Sequence, residues 1–347
     1  MNTILQGSYN RNYGCRIKEY VAGGIRTVSI ENSLIRVSVL LDKGADIYEF
    51  VYKPKDIDFM WRSYQGLRNS NYHAAVGMES GNFMDYYEGG WQELFPNIGR
   101  RCEYKGVDYG MHGEVSLMPW DMEILCDEVN RVSIKLSVRT VRTPYYLEKT
   151  LTLSENELTL HIEETVINEG LEEIQFTWGQ HPALGGNFLD EHCEIILDGT
   201  PKVKAIDADL GATSPLAPNA EGVWPKVKAK EGNTVDLSKV PSPESKTYME
   251  FALYDLETPY YEVKNKRLNV GFEMKWDKEI YPNIWVWQMF GGGEGYPFYG
   301  RAYTLALEPW SSTPPCLVDA INNKSAITIK PKESITHSFE TFVKLYA

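Results

Sequence analysis

No stretch of about 18 consecutive apolar residues occurs in this 347-residue chain, so no transmembrane helix is expected. Cysteine is scarce. The five present (Cys15, Cys102, Cys126, Cys193, Cys316) are odd in number and none forms a CxxC pair. That argues against a disulfide framework or a cysteine zinc site and fits a reducing cytoplasm. Positive charge is also short: 35 Lys and Arg stand against 48 Asp and Glu, a net charge of −13. Nucleic acid and anionic membrane surfaces both require a basic face, so neither is expected as a partner. A small anion held by one or two arginines is compatible with this balance. The start, MNTILQGSYNRNYGCR, lacks the apolar centre of a signal peptide, which again implies a cytoplasmic protein.

Helical patterning is missing too. The chain has no strand–helix alternation of the parallel α/β kind and no short internal repeat. The glycine-rich run Gly291–Gly295 is not followed by Lys-Ser/Thr, so a phosphate-cradling loop is disfavoured. No G-x-S-x-G motif occurs, which disfavours a serine hydrolase.

What the chain does have is alternation with period two. Val132, Ile134, Leu136 and Val138 alternate with polar residues, as do Leu158, Leu160 and Ile162, and Val270, Phe272, Met274 and Trp276. Ile35, Val37, Val39 and Leu41 repeat the pattern. Asn283–Phe290 (NIWVWQMF) is almost wholly apolar and reads as a strand covered on both faces. Gly211–Pro243, rich in Pro, Gly, Ala and Lys, reads as a long excursion between strands. The fold class is therefore all-β, and residues 1–347 read as one large antiparallel domain. The 22 tyrosines and nine tryptophans could stack on sugars, but large sheets also use aromatics as filling, and composition alone favours filling.

Four segments carry candidate chemistry. In Gln175–Gly186 (QFTWGQHPALGG), His181 falls on the open face of a strand, and Pro182 is expected to end it there. An imidazole near neutral pKa suits general acid work, although by position alone a structural histidine is an equal reading. In Tyr303–Pro315 (YTLALEPWSSTPP), Glu308 shares a face with the small Thr304 and Ala306, and Pro309 is expected to end that strand. Such a carboxylate can serve as a base; read alone, an ion-paired glutamate is the simpler account. In Tyr109–Trp120, His112 lies between small residues that admit a ligand, or serves as a turn histidine. No third ligand stands at metal spacing from His112 and Glu114, so no metal is expected. In Glu88–Arg101, Trp91, Gln92, Asn97, Arg100 and Arg101 mix an aromatic, amides and cations, as hydroxyl-binding sites do and as plain loops also do. Trp287 is a second aromatic candidate for a cleft, with burial in the core as its alternative.

Together and in this order, HGE at His112–Glu114, WGQHPALG at Trp178–Gly185 and LALEPW at Leu305–Trp310 resemble the aldose 1-epimerase (galactose mutarotase-like) superfamily. GGWQELFPN at Gly89–Asn97 resembles a less characterised branch of it. The resemblance implies a large antiparallel β supersandwich with a sugar cleft. It further implies a small-molecule carbohydrate as ligand, no cofactor, His181 as general acid, Glu308 as general base and His112 as an assisting histidine. A sugar-holding arginine would be Arg100 or Arg101. The reaction implied is anomer interconversion of an aldose, or of a modified or phosphorylated aldose. The competing functions are a non-catalytic carbohydrate-binding or sensing protein, and a glycosidase or lyase, which would usually need two carboxylates.

Overall fold

In the computed structural model, which describes residues 11–69 and 83–347, the alternating segments pair into two large antiparallel sheets. The first ten residues, read above for a targeting signal, lie outside those described. The larger sheet has 14 strands, one of which, Ile57–Asp58, pairs only with Asp46–Tyr52 and lies off the main order. From one edge it runs Arg16–Ala22, Ile25–Glu31, Ile35–Leu40, Asp46–Tyr52, Trp91–Leu94, Gly179–Leu184, Tyr303–Trp310, Asn283–Phe290, Thr247–Tyr254 and Lys202–Ala205. Three short strands from the Gly211–Pro243 excursion then extend it: Glu221–Val223, Lys226–Lys228 and Thr234–Asp236. The excursion is thus a sheet edge rather than a plain loop. Its Pro and Gly content shortens the strands without abolishing them.

The second sheet has eight strands, among them Arg131–Arg139, Tyr145–Ser154, Thr159–Asn168, Val270–Lys275 and Ser334–Leu345. Val132, Ile134, Leu136 and Val138 all point into the core, as period two requires. Asn283–Phe290 is buried at every position but its first, because it lies mid-sheet with both faces covered. Among the described residues helix is confined to Leu317–Asn322 and three single 3₁₀ turns. No helix there is long and apolar enough to cross a membrane.

The interface between the sheets is not wholly apolar. From the larger sheet, Glu93 and Gln180 meet Lys149, Glu164 and His337 of the smaller one. Lys149 pairs with Glu93 and lies 3.3 Å from Glu164. Gln180 donates to Glu93 at 3.0 Å and to Glu164 at 3.1 Å, and accepts from Trp91 Nε1 at 2.8 Å. Burial and the nearby Glu164 push Glu93 up to about 8. Because Gln180 is aimed inward at this network, His181, the next residue, is turned to the outer face.

Lys149→Ala would leave two carboxylates facing each other without their cation. It is expected to cost about 3–5 kcal/mol in urea denaturation. A loss under about 1 kcal/mol would show that the network re-satisfies itself without Lys149.

Candidate functional site

His181 and Glu308 are brought together by a break in the sheet. The ladder between Gly179–Leu184 and Tyr303–Trp310 is made at Gly179–Trp310, Ala183–Ala306 and Leu184–Leu305, and is open in between. Pro182 and Pro309 lie in the open stretch, and neither has an N–H to give a rung. Carrying the register through the gap sets His181 opposite Glu308, and His181 Nε2 lies 3.5 Å from Glu308 Oε1. The prolines do not end their strands, contrary to the expectation from sequence. On the far sides Pro182 still sits opposite Trp91, and Pro309 opposite Ile284. Both functional candidates are therefore mid-strand, in the centre of the sheet.

The same register sets Gln92 opposite His181 and Trp285 opposite Glu308. Directly opposed residues share a face, so Gln92, His181, Glu308 and Trp285 form one row. Above it lies a cleft of about 610 Å³, its open mouth included. Trp287 and Tyr87 stand around His181 with ring centroids 5.8 and 5.6 Å from it, and Phe83 at 6.3 Å. Trp285 stacks flat on Trp310, at 4.9 Å and 7°.

Burial governs the charges here. It pushes Glu308 well above the usual carboxylate range. The neighbouring Glu250 adds to this, and the Trp310 Nε1–H bond to Glu308 Oε2 (3.1 Å) opposes it. Burial pushes His181 well below its ordinary value, helped by His112 and by the buried Lys43. Lys43 is itself held by Asp46 and by Glu88 at 2.8 Å. Both trends favour the neutral forms, and the close approach of the two groups leaves a proton a short path between them. His181 Nδ1 and the Tyr87 hydroxyl are buried without a hydrogen-bond partner among the described residues.

His112 joins this group from a loop. Its ring centroid is 5.3 Å from that of His181. Its backbone is left-handed (φ 61°), and the next residue must be glycine, because a Cβ on Gly113 would lie 2.1 Å from the Phe95 carbonyl oxygen. His112 Nδ1 is 2.6 Å from the Ile98 carbonyl. A carbonyl only accepts, so Nδ1 carries the proton and Nε2 is left as an acceptor. Burial lowers the His112 pKa to about 4.

The remaining sequence candidates divide. Trp287 and Arg100 line the cleft. Trp91 does not: it is buried between the sheets, bonded to Gln180, because odd positions of Trp91–Leu94 face inward. Gln92 is fully buried beside His181, and its amide is spent on the Gly89 carbonyl, Glu88 and Asp46. Asn97 is a loop clamp. Its amide donates to the carbonyls of Arg100 (2.8 Å) and Gly110 (3.0 Å), and its oxygen accepts from the Leu317 N–H (2.9 Å). Arg101 turns outward to Asp108 at 2.7 Å. Sequence reading missed Phe83, Tyr87, Trp285 and Glu250. Glu250 is a second cleft carboxylate, bonded by the Tyr248 hydroxyl. The alternation of Tyr248, Glu250, Ala252 and Tyr254 could have flagged it. Among the described residues no three histidine, cysteine or carboxylate groups converge as a metal site.

His112 also sets a pH dependence of stability. Its folded value near 4 lies below the ordinary 6.5, so the unfolded chain binds the proton more readily. The stability due to neutral His112 is complete above pH 6.5 and is lost as pH falls towards 4. Between those limits wild type should lose roughly 2–3 kcal/mol more than His112→Asn in urea denaturation. Equal losses would contradict a buried neutral imidazole.

Known structures share this architecture. A candidate aldose 1-epimerase from Klebsiella pneumoniae superposes with a TM-score of 0.72 at 13% identity, over 95% of this chain and 83% of that one. A galactose mutarotase-like protein from Clostridium acetobutylicum gives 0.66 at 15% identity, over 96% and 99%. One from Lactobacillus casei gives 0.60 at 14%, over 92% and 100%. At such identities the likeness is one of fold: this chain has the galactose mutarotase-like fold, as its motifs implied. No curated protein matches the sequence. The family profile described as "Domain of unknown function (DUF4432)" matches residues 22–343, nearly the whole chain, and the protein belongs to that family.

Proposed function

We propose that this protein interconverts the anomers of an aldose or an aldose derivative by acid–base ring opening and closure. The observation that carries the reading is the His181–Glu308 pair, 3.5 Å apart in an aromatic cleft. With a sugar laid on Trp287, the ionised Glu308 takes the proton from the C1 hydroxyl while protonated His181 gives one to the ring oxygen. The C1–ring oxygen bond breaks and an open-chain aldehyde forms. After rotation about C1–C2 the roles reverse: His181 takes the proton back from the former ring oxygen as that oxygen attacks the other face of the aldehyde, and Glu308 returns its proton to the C1 oxygen. No net proton is consumed. Raising Glu308 by burial and by Glu250 makes it a stronger base than a free carboxylate. His112 Nε2 accepts from a sugar hydroxyl. Five free cysteines suit a reducing cytoplasm as the place of action.

A second reading, glycoside hydrolysis, is favoured by the presence of Glu250 beside Glu308, since that chemistry uses two carboxylates. Release of free sugar from aryl glycosides by wild type, with no acceleration of anomer exchange, would decide for it.

The test is an NMR anomer-exchange screen over aldoses and aldose phosphates. His181→Asn and Glu308→Gln should each lower kcat by roughly 10²-fold or more, and the double variant should be little worse than the worse single one. Affinity should change far less. The pH profile should be bell-shaped. Its acid limb, where His181 takes a second proton, should fall below the ordinary histidine range. Its alkaline limb, where Glu308 loses its proton, should lie above the ordinary carboxylate range. Binding without acceleration for any sugar would mark the protein as a carbohydrate binder.

A further inference from the structure

We propose that the sugar handled here is longer than one ring, a reducing disaccharide or oligosaccharide. Its reducing unit lies over His181 and Glu308, and its next unit lies in an adjoining pocket. This rests on the reading that the cleft acts on an aldose. The cleft does not end at Trp285. It continues into a second cavity of about 1010 Å³, and the two share Arg100, Ile206, Trp285 and Pro315 as walls.

The sheet register explains the continuity. Glu308 is opposite Trp285, Trp285 opposite Ala252, Ala252 opposite Lys204, and Lys204 opposite Glu221. The row that carries the acid–base pair therefore runs on, on the same face, into the second cavity. From Glu308 to Lys204 are three strand spacings, about 14 Å, more than a single pyranose needs. Along it Trp285, held flat against Trp310, offers a ring to stack on, and Ala252 is small enough to leave a trough beyond it.

The lining of the second cavity decides the chemical class. Arg100 is already engaged by Asp207 through two hydrogen bonds of 3.1 and 3.3 Å. Lys204 lies 3.9 Å from Glu221, and Asp319 adds a further negative charge. Cations and carboxylates thus offset each other, so the pocket is no match for a phosphate or a sugar acid. Donors and acceptors of both kinds beside an aromatic platform suit a neutral, hydroxyl-rich unit.

The experiment compares each monosaccharide with disaccharides that carry it at the reducing end: glucose with maltose, cellobiose and lactose, xylose with xylobiose, and mannose with mannobiose. Anomer exchange is followed by NMR, and binding to wild type by calorimetry. At least one disaccharide should exceed its own monosaccharide by about tenfold or more in kcat/KM and in affinity. The double variant Lys204→Ala, Asp319→Ala should bring that ratio back towards one; both side chains are at the surface, so folding should survive. A monosaccharide or an aldose phosphate that equals or exceeds every disaccharide in both measurements would overturn the extended site while leaving anomer exchange intact. Tighter disaccharide binding with no exchange of any sugar would uphold the extended site and sink the catalytic reading instead.

Discussion

Two prolines, one on each side of the same gap in a central ladder, organise the outer face of this protein. A proline in mid-sheet removes a rung, and a single one is usually pushed to an edge. Here Pro182 and Pro309 remove rungs from the same short stretch, so one gap accommodates both. The strands stay in register because Ala183–Ala306 and Leu184–Leu305 hold one side of the gap and Gly179–Trp310 the other. Within it His181 and Glu308 are left as neighbours with little freedom to separate.

The underside of the same strand explains why the pair stays in place. Gln180 is tied to Glu93, Glu164 and Trp91 in a buried network spanning both sheets. An amide with this many fixed partners resists rotation or sliding of its strand, and His181 is one residue away. The polar groups between the sheets thus act on the cleft through a backbone they immobilise, without touching it. The cleft's own electrostatics come from exclusion of water: Glu308, Glu250, His181 and His112 are all moved towards their neutral forms chiefly by burial.

Much of the architecture was legible in the sequence. Alternation in segments such as Arg131–Arg139 identified strands and their inward faces, because a half-buried strand must repeat every second residue. The face of His181 was legible for the same reason. The strand ends were not. Local rules stop a strand at proline, and only the placement of Pro182 and Pro309, distant in sequence, in one gap of the ladder lets both strands continue. Trp91 shows the same limit. In a segment as short as Trp91–Leu94, buried at all four positions, hydropathy does not tell the core face from the cleft face. Trp285 escaped notice because nothing local distinguishes a cleft ring from a buried one; cross-strand register does.

The single row from Gln92 to Glu221 has a consequence for how such a chain can change over time. Its members come from seven strands and are aligned only by register, so the loops between those strands are free to lengthen or shorten. The strands are not. Deleting Gln180 would turn the imidazole inward to Glu93 and Glu164 and leave Pro182 opposite Glu308, since a one-residue slip exchanges the two faces. Length variation among relatives that keep this cleft should therefore be confined to the turns.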